Sequence, residues 1–129
     1  MKKKIYYHDT DCGGVVYYAN YLKYFEEART ELMSKAGLDL SLLQNRGVLF
    51  VVRKVEVEYK SPAKYGDILE VSSRIEKLKN VTMTFSQSIA RDGQLLVKAL
   101  TQLVCINKEF SPQPIPEDLA LVLKRFSPE

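Results

Sequence analysis

The chain has 129 residues, which is enough for one domain with a buried core but short for two. Its 46% hydrophobic and 27% charged residues are typical of a soluble globular protein, and no apolar run is long enough to span a membrane. The net charge of +3, from 19 basic and 16 acidic side chains, suits an anionic small molecule. The same charge is only weak evidence for nucleic-acid binding, because no basic cluster recurs along one face.

Two further features of the composition narrow the expected compartment and chemistry. The first residues, Met-Lys-Lys-Lys, lead directly into β-prone residues rather than into an apolar signal sequence, so we expect a cytoplasmic protein. The two cysteines, Cys12 and Cys105, are too few for a disulfide framework. No Cys or His spacing resembles a metal-binding motif, so no metal site is expected.

A short strand, a turn and one long helix are predicted for the beginning of the chain. Residues 4–8 are β-prone, and the turn-forming residues Asp9–Gly14, with two adjacent glycines, follow them. Helical periodicity then predicts an amphipathic helix of roughly 18 residues, or about 27 Å, that ends at Gly37. Its predicted apolar face contains Leu22, Phe25, Ala28, Leu32, Met33 and Ala36.

The remainder of the chain is predicted to be sheet with two short helices. Asp39 is placed to cap a short helix over Leu40–Asn45, and Pro116 precedes a last helix over Glu117–Arg125. The strands between them are predicted as an antiparallel meander over Val48–Tyr59, Ile68–Leu78, Val81–Ile89 and Leu95–Ile106. This is an α+β layout. The last strand is apolar on both faces, which predicts a central or interface strand. One helix cannot cover so much apolar sheet, so we expect oligomerisation.

The loop before the long helix carries the residues best placed for chemistry. Asp9 and Asp11 flank Thr10 and precede Gly13 and Gly14, which let the backbone approach a ligand closely. A carboxylate beside the free N–H groups of a helix start has the parts that acyl transfer needs, a base or nucleophile and an oxyanion donor. The same residues could simply form a turn and cap the helix. Spacing alone favours that role, because Asp before a helix is common.

Residues 6–22, YYHDTDCGGVVYYANYL, resemble the signature of the hotdog-fold acyl-CoA thioesterases. The branch that they resemble comprises the 4-hydroxybenzoyl-CoA thioesterase type and, closer still, the YbgC type linked to the Tol-Pal system. The similarity is nearly continuous over residues 6–33 and resumes in Tyr59–Asp67, YKSPAKYGD. In coarse layout the resemblance therefore covers essentially the whole chain.

The resemblance implies a fold, an assembly and a reaction. The fold is a single hotdog domain over residues 1–129, in which an antiparallel sheet of about five strands wraps a central helix. Two copies would pair edge to edge, and such dimers commonly pair again into tetramers. The reaction is hydrolysis of the thioester of an acyl-CoA or of an acyl carrier protein. No cofactor is implied beyond the coenzyme A of the substrate.

The resemblance also implies roles for individual residues. Asp11 falls on the family's catalytic carboxylate, which acts as nucleophile or as general base. The backbone N–H of Tyr18 falls where the family polarises the thioester carbonyl. Gly14 and Val16 lie in the turn that brings the helix start to the thioester, and Tyr7 lines the site in YbgC-type enzymes. Tyr18 stands where many YbgC-type members have histidine, and tyrosine there resembles the hydroxybenzoyl type.

A predicted hairpin tip contains Lys77, Lys79 and Asn80. Two interpretations of these residues stay open. These residues could form a solvated turn. They could also meet the phosphates of coenzyme A, since the hydroxybenzoyl-type enzymes use basic residues near this reversal. Lys60 and Lys64 are further candidates for the same role.

Other functions stay open on the sequence. A non-catalytic module that binds acyl chains or an acyl carrier protein could use the same fold, although the intact Asp11 argues against it. A hydratase or dehydratase would want a histidine and a carboxylate on the helix, whereas His8, the single histidine, precedes it. Cys12 has no basic partner in the sequence to activate it as a nucleophile. A nucleic-acid binder is the least supported alternative.

Overall fold

The computed structural model describes residues 1–126 and shows an antiparallel sheet with a long helix against one face. The strands are β1 (Lys2–Lys4), β2 (Leu49–Tyr59), β3 (Ile68–Leu78), β4 (Thr82–Arg91) and β5 (Gln94–Ile106). The helices are α1 (Asn20–Lys35), α2 (Leu40–Asn45) and α3 (Glu117–Lys124), with a 3₁₀ turn over Tyr7–Asp9. The predicted α+β class and five-stranded sheet are confirmed. No helix within residues 1–126 has the length and apolar character needed to cross a membrane.

The sheet order is β1-β3-β4-β5-β2, so the predicted meander is correct for β3, β4 and β5 but wrong for β2. Strand β2 lies next to β5, where Tyr59 is opposite Val97. The edge of β3 away from β4 pairs instead with β1 over three residues, with Lys4 opposite Ile68. Residues 60–67 therefore cross the end of the sheet. Strand β5 has a partner on each side, so its prediction as a central strand is confirmed.

The predicted strand over residues 4–8 is wrong beyond Lys4. Strand β1 ends there, and Tyr7–Asp9 form the 3₁₀ turn. The carboxylate of Asp9 accepts a hydrogen bond from the backbone N–H of Tyr6 at 2.9 Å, which closes the turn. One side-chain hydrogen bond to the backbone thus overrides a β-prone composition.

Helix α1 buries a stripe that begins with tyrosines. Its buried residues are Tyr21, Tyr24, Phe25, Ala28 and Met33. Leu22, which periodicity placed on this stripe, is 41% exposed, so that prediction is wrong. Tyr21 takes its place because the tyrosine hydroxyl has a partner inside the protein, the backbone N–H of Ala63 at 2.9 Å. The helix has 16 residues, slightly fewer than the predicted length.

The predicted end of α1 and the predicted start of α2 are confirmed. Gly37 adopts a φ of 81°, and the N–H of the next residue, Leu38, donates to the carbonyl of Met33 at 2.9 Å. This is the usual closure of a helix by a left-handed glycine. Asp39 caps α2 by accepting a hydrogen bond from the N–H of Ser41 at 2.9 Å.

The two faces of the sheet differ in polarity. The inner face, towards α1, contributes fully buried apolar side chains such as Ile75, Phe85 and Ile89 to the core. The outer face carries charged residues of β2 and β5. Its ion pairs include Lys54–Glu56 and Lys98–Glu58, each at 3.1 Å.

Strand β2 is an edge strand whose outer side has no partner among the described residues. Its exposed apolar side chains are 37% to 50% accessible and comprise Val51, Val52, Val55 and Tyr59. A strand of 11 residues with unpaired backbone groups and exposed apolar side chains is a template for pairing with another strand.

The buried ring of Phe85 gives a direct test of the core. Phe85→Ala removes a fully buried side chain from β4, so the free energy of unfolding should fall by about 3–5 kcal/mol. Phe110→Ala is the matched control, because that ring is 77% exposed. Its removal should change the free energy of unfolding by less than about 0.5 kcal/mol. Urea denaturation of both variants checks the difference, and equal destabilisation would contradict the position of Phe85 in the core.

Candidate active site

The two aspartates of the Asp-Thr-Asp motif lie in different environments. Asp9 is buried, and its carboxylate is bound to the N–H of Tyr6. Its backbone carbonyl accepts hydrogen bonds from the N–H of Tyr17 at 3.1 Å and from Nδ2 of Asn20 at 2.9 Å. Asp9 thereby ties the N-terminal segment to the start of α1. Both aspartates form turns, as spacing alone favoured, since Asp9 accepts from the N–H of Tyr6 and the exposed Asp11 from the N–H of Gly13. The predicted helix cap is wrong, because Ala19 is the N-cap of α1 and no side chain of residues 1–126 caps it.

The Asp9 carboxyl is held in its charged form by its surroundings. Burial by itself raises the pKa of Asp9, but the N–H of Tyr6, the hydroxyl of Tyr24 and the nearby His8 and Lys3 outweigh burial and leave the pKa below its usual range. Burial and then the Asp9 carboxylate raise the pKa of Tyr24. The Tyr24 hydroxyl is buried and forms no hydrogen bond of standard geometry within residues 1–126. Its interaction with Asp9 is therefore an electrostatic contact.

The carboxylate of Asp11 is fixed at one oxygen and open at the other. Oδ1 accepts a hydrogen bond from the N–H of Gly13 at 2.8 Å, and the N–H of Gly14 donates to the Asp11 carbonyl at 3.1 Å. Oδ2 has no hydrogen-bond partner within the described part of the chain. Gly14 has a φ of 78°, a left-handed conformation that glycine adopts without steric cost. The loop thus presents a positioned carboxylate at the surface.

The start of α1 lies beside this loop. Thr10 and Val16 pair in a short antiparallel bridge, and the N–H of Tyr17 reaches back to the carbonyl of Asp9. Tyr18 follows immediately, and its backbone N–H donates no hydrogen bond to any atom of residues 1–126. Unpaired N–H groups at a helix start carry the positive end of the helix dipole. A carboxylate and a free amide donor are therefore neighbours in this loop.

The segment between β2 and β3 holds the loop from its other side. The N–H of Val16 donates to the carbonyl of Ala63 at 2.9 Å, and the N–H of Ala63 donates to the hydroxyl of Tyr21. Asp67 closes the same segment through an ion pair with Arg91 at 2.6 Å. The two sequence stretches that carry the family resemblance are therefore in contact and brace each other.

Exposed tyrosines lie on both sides of the loop. Tyr7 meets Tyr65 edge to face with ring centroids 6.0 Å apart, and Tyr18 meets Tyr59 in the same way at 6.2 Å. The sequence predicted Tyr7 and Tyr18 as site residues but missed Tyr59 and Tyr65. Both missed residues lie in the second stretch of the resemblance, which was the available signal. Such rings offer apolar faces with polar tips to a ligand.

The predicted phosphate-binding residues lie far from Asp11 within one chain. Lys77 is near the end of β3, and Lys79 and Asn80 form the turn into β4, whereas the Asp11 loop lies at the Ile68 end of β3. The 11 residues of β3 separate the two ends by about 33 Å. Lys77 and Lys79 line a shallow depression on the outer face of the sheet. Neither amine forms an ion pair within residues 1–126.

A cleft that the sequence did not reveal opens between α1 and the inner face of the sheet. Its volume is about 370 Å³, within the range of small-molecule sites. The sheet side is lined by Phe50, Val52, Met83, Phe85 and Leu103, and the helix side by Glu26, Arg29, Thr30 and Met33. The cleft lies at the Leu49 end of β2, whereas the Asp11 loop lies near Tyr59 at the other end. Its walls come from segments too distant in sequence to form a motif.

His8 and the two cysteines add no further group to the Asp11 loop. The imidazole of His8 stacks on Tyr6 with ring centroids 5.9 Å apart and lies 3.8 Å from the Asp9 carboxylate. Cys12 is exposed and Cys105 is buried in β5. Across residues 1–126, no three His, Cys, Asp or Glu side chains are grouped as a metal site would require.

Known proteins are similar to this chain over nearly its whole length. A family model for the thioesterase-like superfamily matches residues 6–123. The acyl-CoA thioester hydrolase YbgC of Shigella flexneri is 36% identical over 124 residues, which cover 95% of this chain and 92% of that protein. A hypothetical protein from Thermus thermophilus superposes with a TM-score of 0.93 at 31% identity, covering 98% of this chain and 97% of its own. A 1,4-dihydroxy-2-naphthoyl-CoA thioesterase from Synechocystis superposes with a TM-score of 0.88 at 26% identity, covering 96% and 93%. The predicted hotdog fold is confirmed.

The buried carboxylate of Asp9 predicts a pH-dependent contribution to stability. Its pKa is lower in the folded chain than the ordinary value of 3.8, so the unfolded state binds more protons in the acid range. The contribution is therefore complete above about pH 4 and is lost as the pH falls through the lower, folded pKa. We expect Asp9→Asn to cost about 1–3 kcal/mol of unfolding free energy near pH 7 and clearly less near pH 3.

Urea denaturation at the two pH values measures this difference. Asp92→Asn is the control, because Asp92 is exposed in the turn between β4 and β5 and its side chain makes no hydrogen bond within residues 1–126. The control should change the free energy of unfolding by less than about 0.5 kcal/mol, because it alters an exposed side chain. A deficit of Asp9→Asn that does not shrink in acid would show that the charge of Asp9 is not what stabilises the loop.

Proposed function

The chain belongs to the thioesterase-like superfamily, and we propose that it hydrolyses acyl-CoA thioesters to a free carboxylate and a free thiol. One observation carries the proposal: Asp11 keeps a carboxylate oxygen free in the same loop as the unpaired N–H of Tyr18 at the start of α1. The substrate class follows from the relative that is an acyl-CoA thioester hydrolase. The proposal includes no cofactor beyond the coenzyme A of the substrate.

Tyr18 supplies the donor that stabilises the transition state. The carbonyl oxygen of a thioester gains negative charge as its carbon becomes tetrahedral. A backbone N–H at the positive end of a helix binds that oxygen more strongly as the charge develops, which lowers the barrier. Because the donor is a backbone amide, this role does not depend on the tyrosine side chain.

Asp11 supplies the attacking group in one of two ways. As a general base, its free oxygen takes a proton from water while the water oxygen bonds to the carbonyl carbon. The C–S bond then breaks and the proton passes to the departing thiolate. As a nucleophile, the carboxylate itself bonds to the carbonyl carbon and expels the thiolate, and water hydrolyses the resulting anhydride. In both routes the N–H of Gly13 holds the other carboxylate oxygen in place.

Gly14, Val16 and Tyr7 shape the site around these two groups. Gly14 turns the chain through its positive φ, and Val16 fastens the loop to the backbone of Ala63. Tyr7 is 78% exposed, so its ring is available to line the path of the thioester. A hydratase would need a histidine on the helix, and the α1 sequence contains none.

The active unit in this proposal is a dimer in which two copies pair antiparallel along β2. The unpaired edge and exposed apolar side chains of β2 support this pairing. A two-fold pairing over the full strand sets the last residue of one β2, Tyr59, beside the first residue of the other, Leu49. The Asp11 loop of each copy then lies near the mouth of the cleft of the other. Pairing of two dimers into a tetramer stays a prediction.

Within such a dimer, the cleft takes the acyl group and the β3–β4 turn takes the phosphates of coenzyme A. Lys77, Lys79 and Asn80 lie at the same end of the sheet as the cleft. The two amines have no ion-pair partner within residues 1–126, so they are available to bind phosphate oxygens. Lys60 is less available, because it pairs with Glu58 at 3.9 Å. Acyl carrier protein as the thiol carrier stays a prediction.

Asp11→Asn tests the proposal. Asparagine keeps the size of the side chain and can still accept the hydrogen bond from Gly13, but it can neither take a proton nor attack a carbonyl. We expect kcat to fall by about 10²–10⁴-fold while the protein stays folded and keeps its oligomeric state. Release of free thiol from a graded set of acyl-CoAs measures kcat, and circular dichroism with size-exclusion chromatography checks the fold.

Asp92→Asn serves as the charge-matched control and should keep wild-type turnover, because Asp92 lies in the turn between β4 and β5. Near wild-type activity of Asp11→Asn would remove Asp11 from the mechanism. Binding of acyl-CoAs by the wild type without any thiol release would instead identify a non-catalytic module.

A further inference from the structure

The helix side of the cleft contains a half-buried arginine that has no carboxylate partner. Arg29 projects from α1 into the cleft opposite the apolar side chains of Phe50, Met83 and Phe85. It forms no ion pair within residues 1–126. A partly buried charged group without an ion pair is stabilised by its hydrogen bonds. The hydrogen bonds of Arg29 therefore decide whether it has donors left for a ligand in the cleft.

A buried glutamine fixes the orientation of this guanidinium. Nη1 of Arg29 donates to Oε1 of Gln87 at 3.0 Å. The amide of Gln87 is itself locked, because Nε2 donates to the carbonyl of Phe25 at 2.9 Å and to the hydroxyl of Ser73 at 2.8 Å. A guanidinium has several N–H donors, and this contact uses a single nitrogen. Arg29 is thus held in place with donors left over.

The two charged side chains on the helix side of the cleft, Arg29 and Glu26, have opposite signs. Burial lowers the pKa of Arg29, and Glu26 partly offsets this effect. Glu26 lines the same wall of the cleft but forms no ion pair with Arg29. Glu26 offsets part of the attraction that Arg29 would exert on a carboxylate, whereas a hydroxyl or carbonyl oxygen can accept a hydrogen bond from Arg29 without repulsion from Glu26. The wall therefore suits an uncharged oxygen that accepts a hydrogen bond.

We infer that Arg29 recognises the far end of the acyl group, and that the preferred acyl group carries a neutral oxygen remote from the thioester. The inference rests on the proposed function, since it takes the cleft as the acyl pocket, and it deepens that function by naming the substrate class. The carbon chain lies over the apolar sheet side of the cleft. The remote oxygen accepts a hydrogen bond from Arg29, which makes Arg29 a specificity-determining residue.

Matched pairs of acyl-CoAs test this inference. Each pair consists of a terminally hydroxylated acyl-CoA and the unsubstituted acyl-CoA of the same chain length, compared by thiol release over a graded range of lengths. At the best length, wild-type kcat/KM should favour the hydroxylated member by about 10-fold or more. Arg29→Met keeps the packing of the stem but removes the donors, so this ratio should fall to about one or below. Arg74→Met, at an exposed arginine of β3, should keep the wild-type ratio.

The outcomes separate recognition from a merely structural role. A wild-type ratio of one or less at every length overturns the inference, whether or not Arg29→Met folds. An equal loss of kcat/KM for both members of a pair in Arg29→Met also overturns it, because Arg29 would then only support Gln87 and α1. If the proposed function is wrong, neither the hydroxylated nor the unsubstituted acyl-CoAs would release thiol. That result is distinct from the two above, and it would also overturn the inference.

Discussion

The length of β2 is the constraint on which the rest of the structure depends. Its 11 residues span about 33 Å, with the Asp11 loop near one end and the cleft at the other. If the Asp11 loop is the reactive site and the cleft is the acyl pocket, as proposed, the two are too far apart in one chain to serve the same small acyl group. An antiparallel two-fold pairing along β2 would bring each loop to the other copy's cleft. The same pairing would also remove the exposed valines of this edge from water. One interaction would therefore both stabilise the edge strand and complete the proposed site.

Around the loop, two aspartates that are two residues apart lie in different environments. Asp9 is buried, carries a lowered pKa and holds the N-terminal segment against α1 through its carboxylate and its carbonyl. Asp11 is exposed and keeps one carboxylate oxygen free. Because Asp9 and the backbone of Ala63 fix the loop on both sides, the carboxylate and the amide of Tyr18 are positioned before a substrate arrives. Preorganised groups of this kind need little rearrangement during reaction.

Local signals in the sequence predicted most elements, whereas long-range contacts decided the rest. Gly37 and Asp39 mark helix ends through chemistry that acts within a few residues, and both predictions are confirmed. The place of β2 beside β5 could not be predicted, because it depends on pairs far apart in sequence, such as Tyr59 with Val97. Spacing alone favoured a turn and helix cap for the Asp-Thr-Asp loop. Only the family resemblance indicated Asp11 and Tyr18 as site residues, and their roles stay predictions. The cleft around Arg29 left no local signal, since its walls meet only in the folded chain.

The most direct test of the composite site mixes two inactive variants. Asp11→Asn removes the reactive carboxylate and leaves the cleft intact, whereas Thr30→Trp fills the cleft from an exposed position of α1 and leaves Asp11 intact. After subunit exchange, about half of the dimers are mixed and each mixed dimer contains one complete site, so about a quarter of the wild-type thiol release should return. Native mass spectrometry should demonstrate that mixed dimers have formed. If they have formed and the mixture is still as inactive as each variant alone, the site is not shared between two copies.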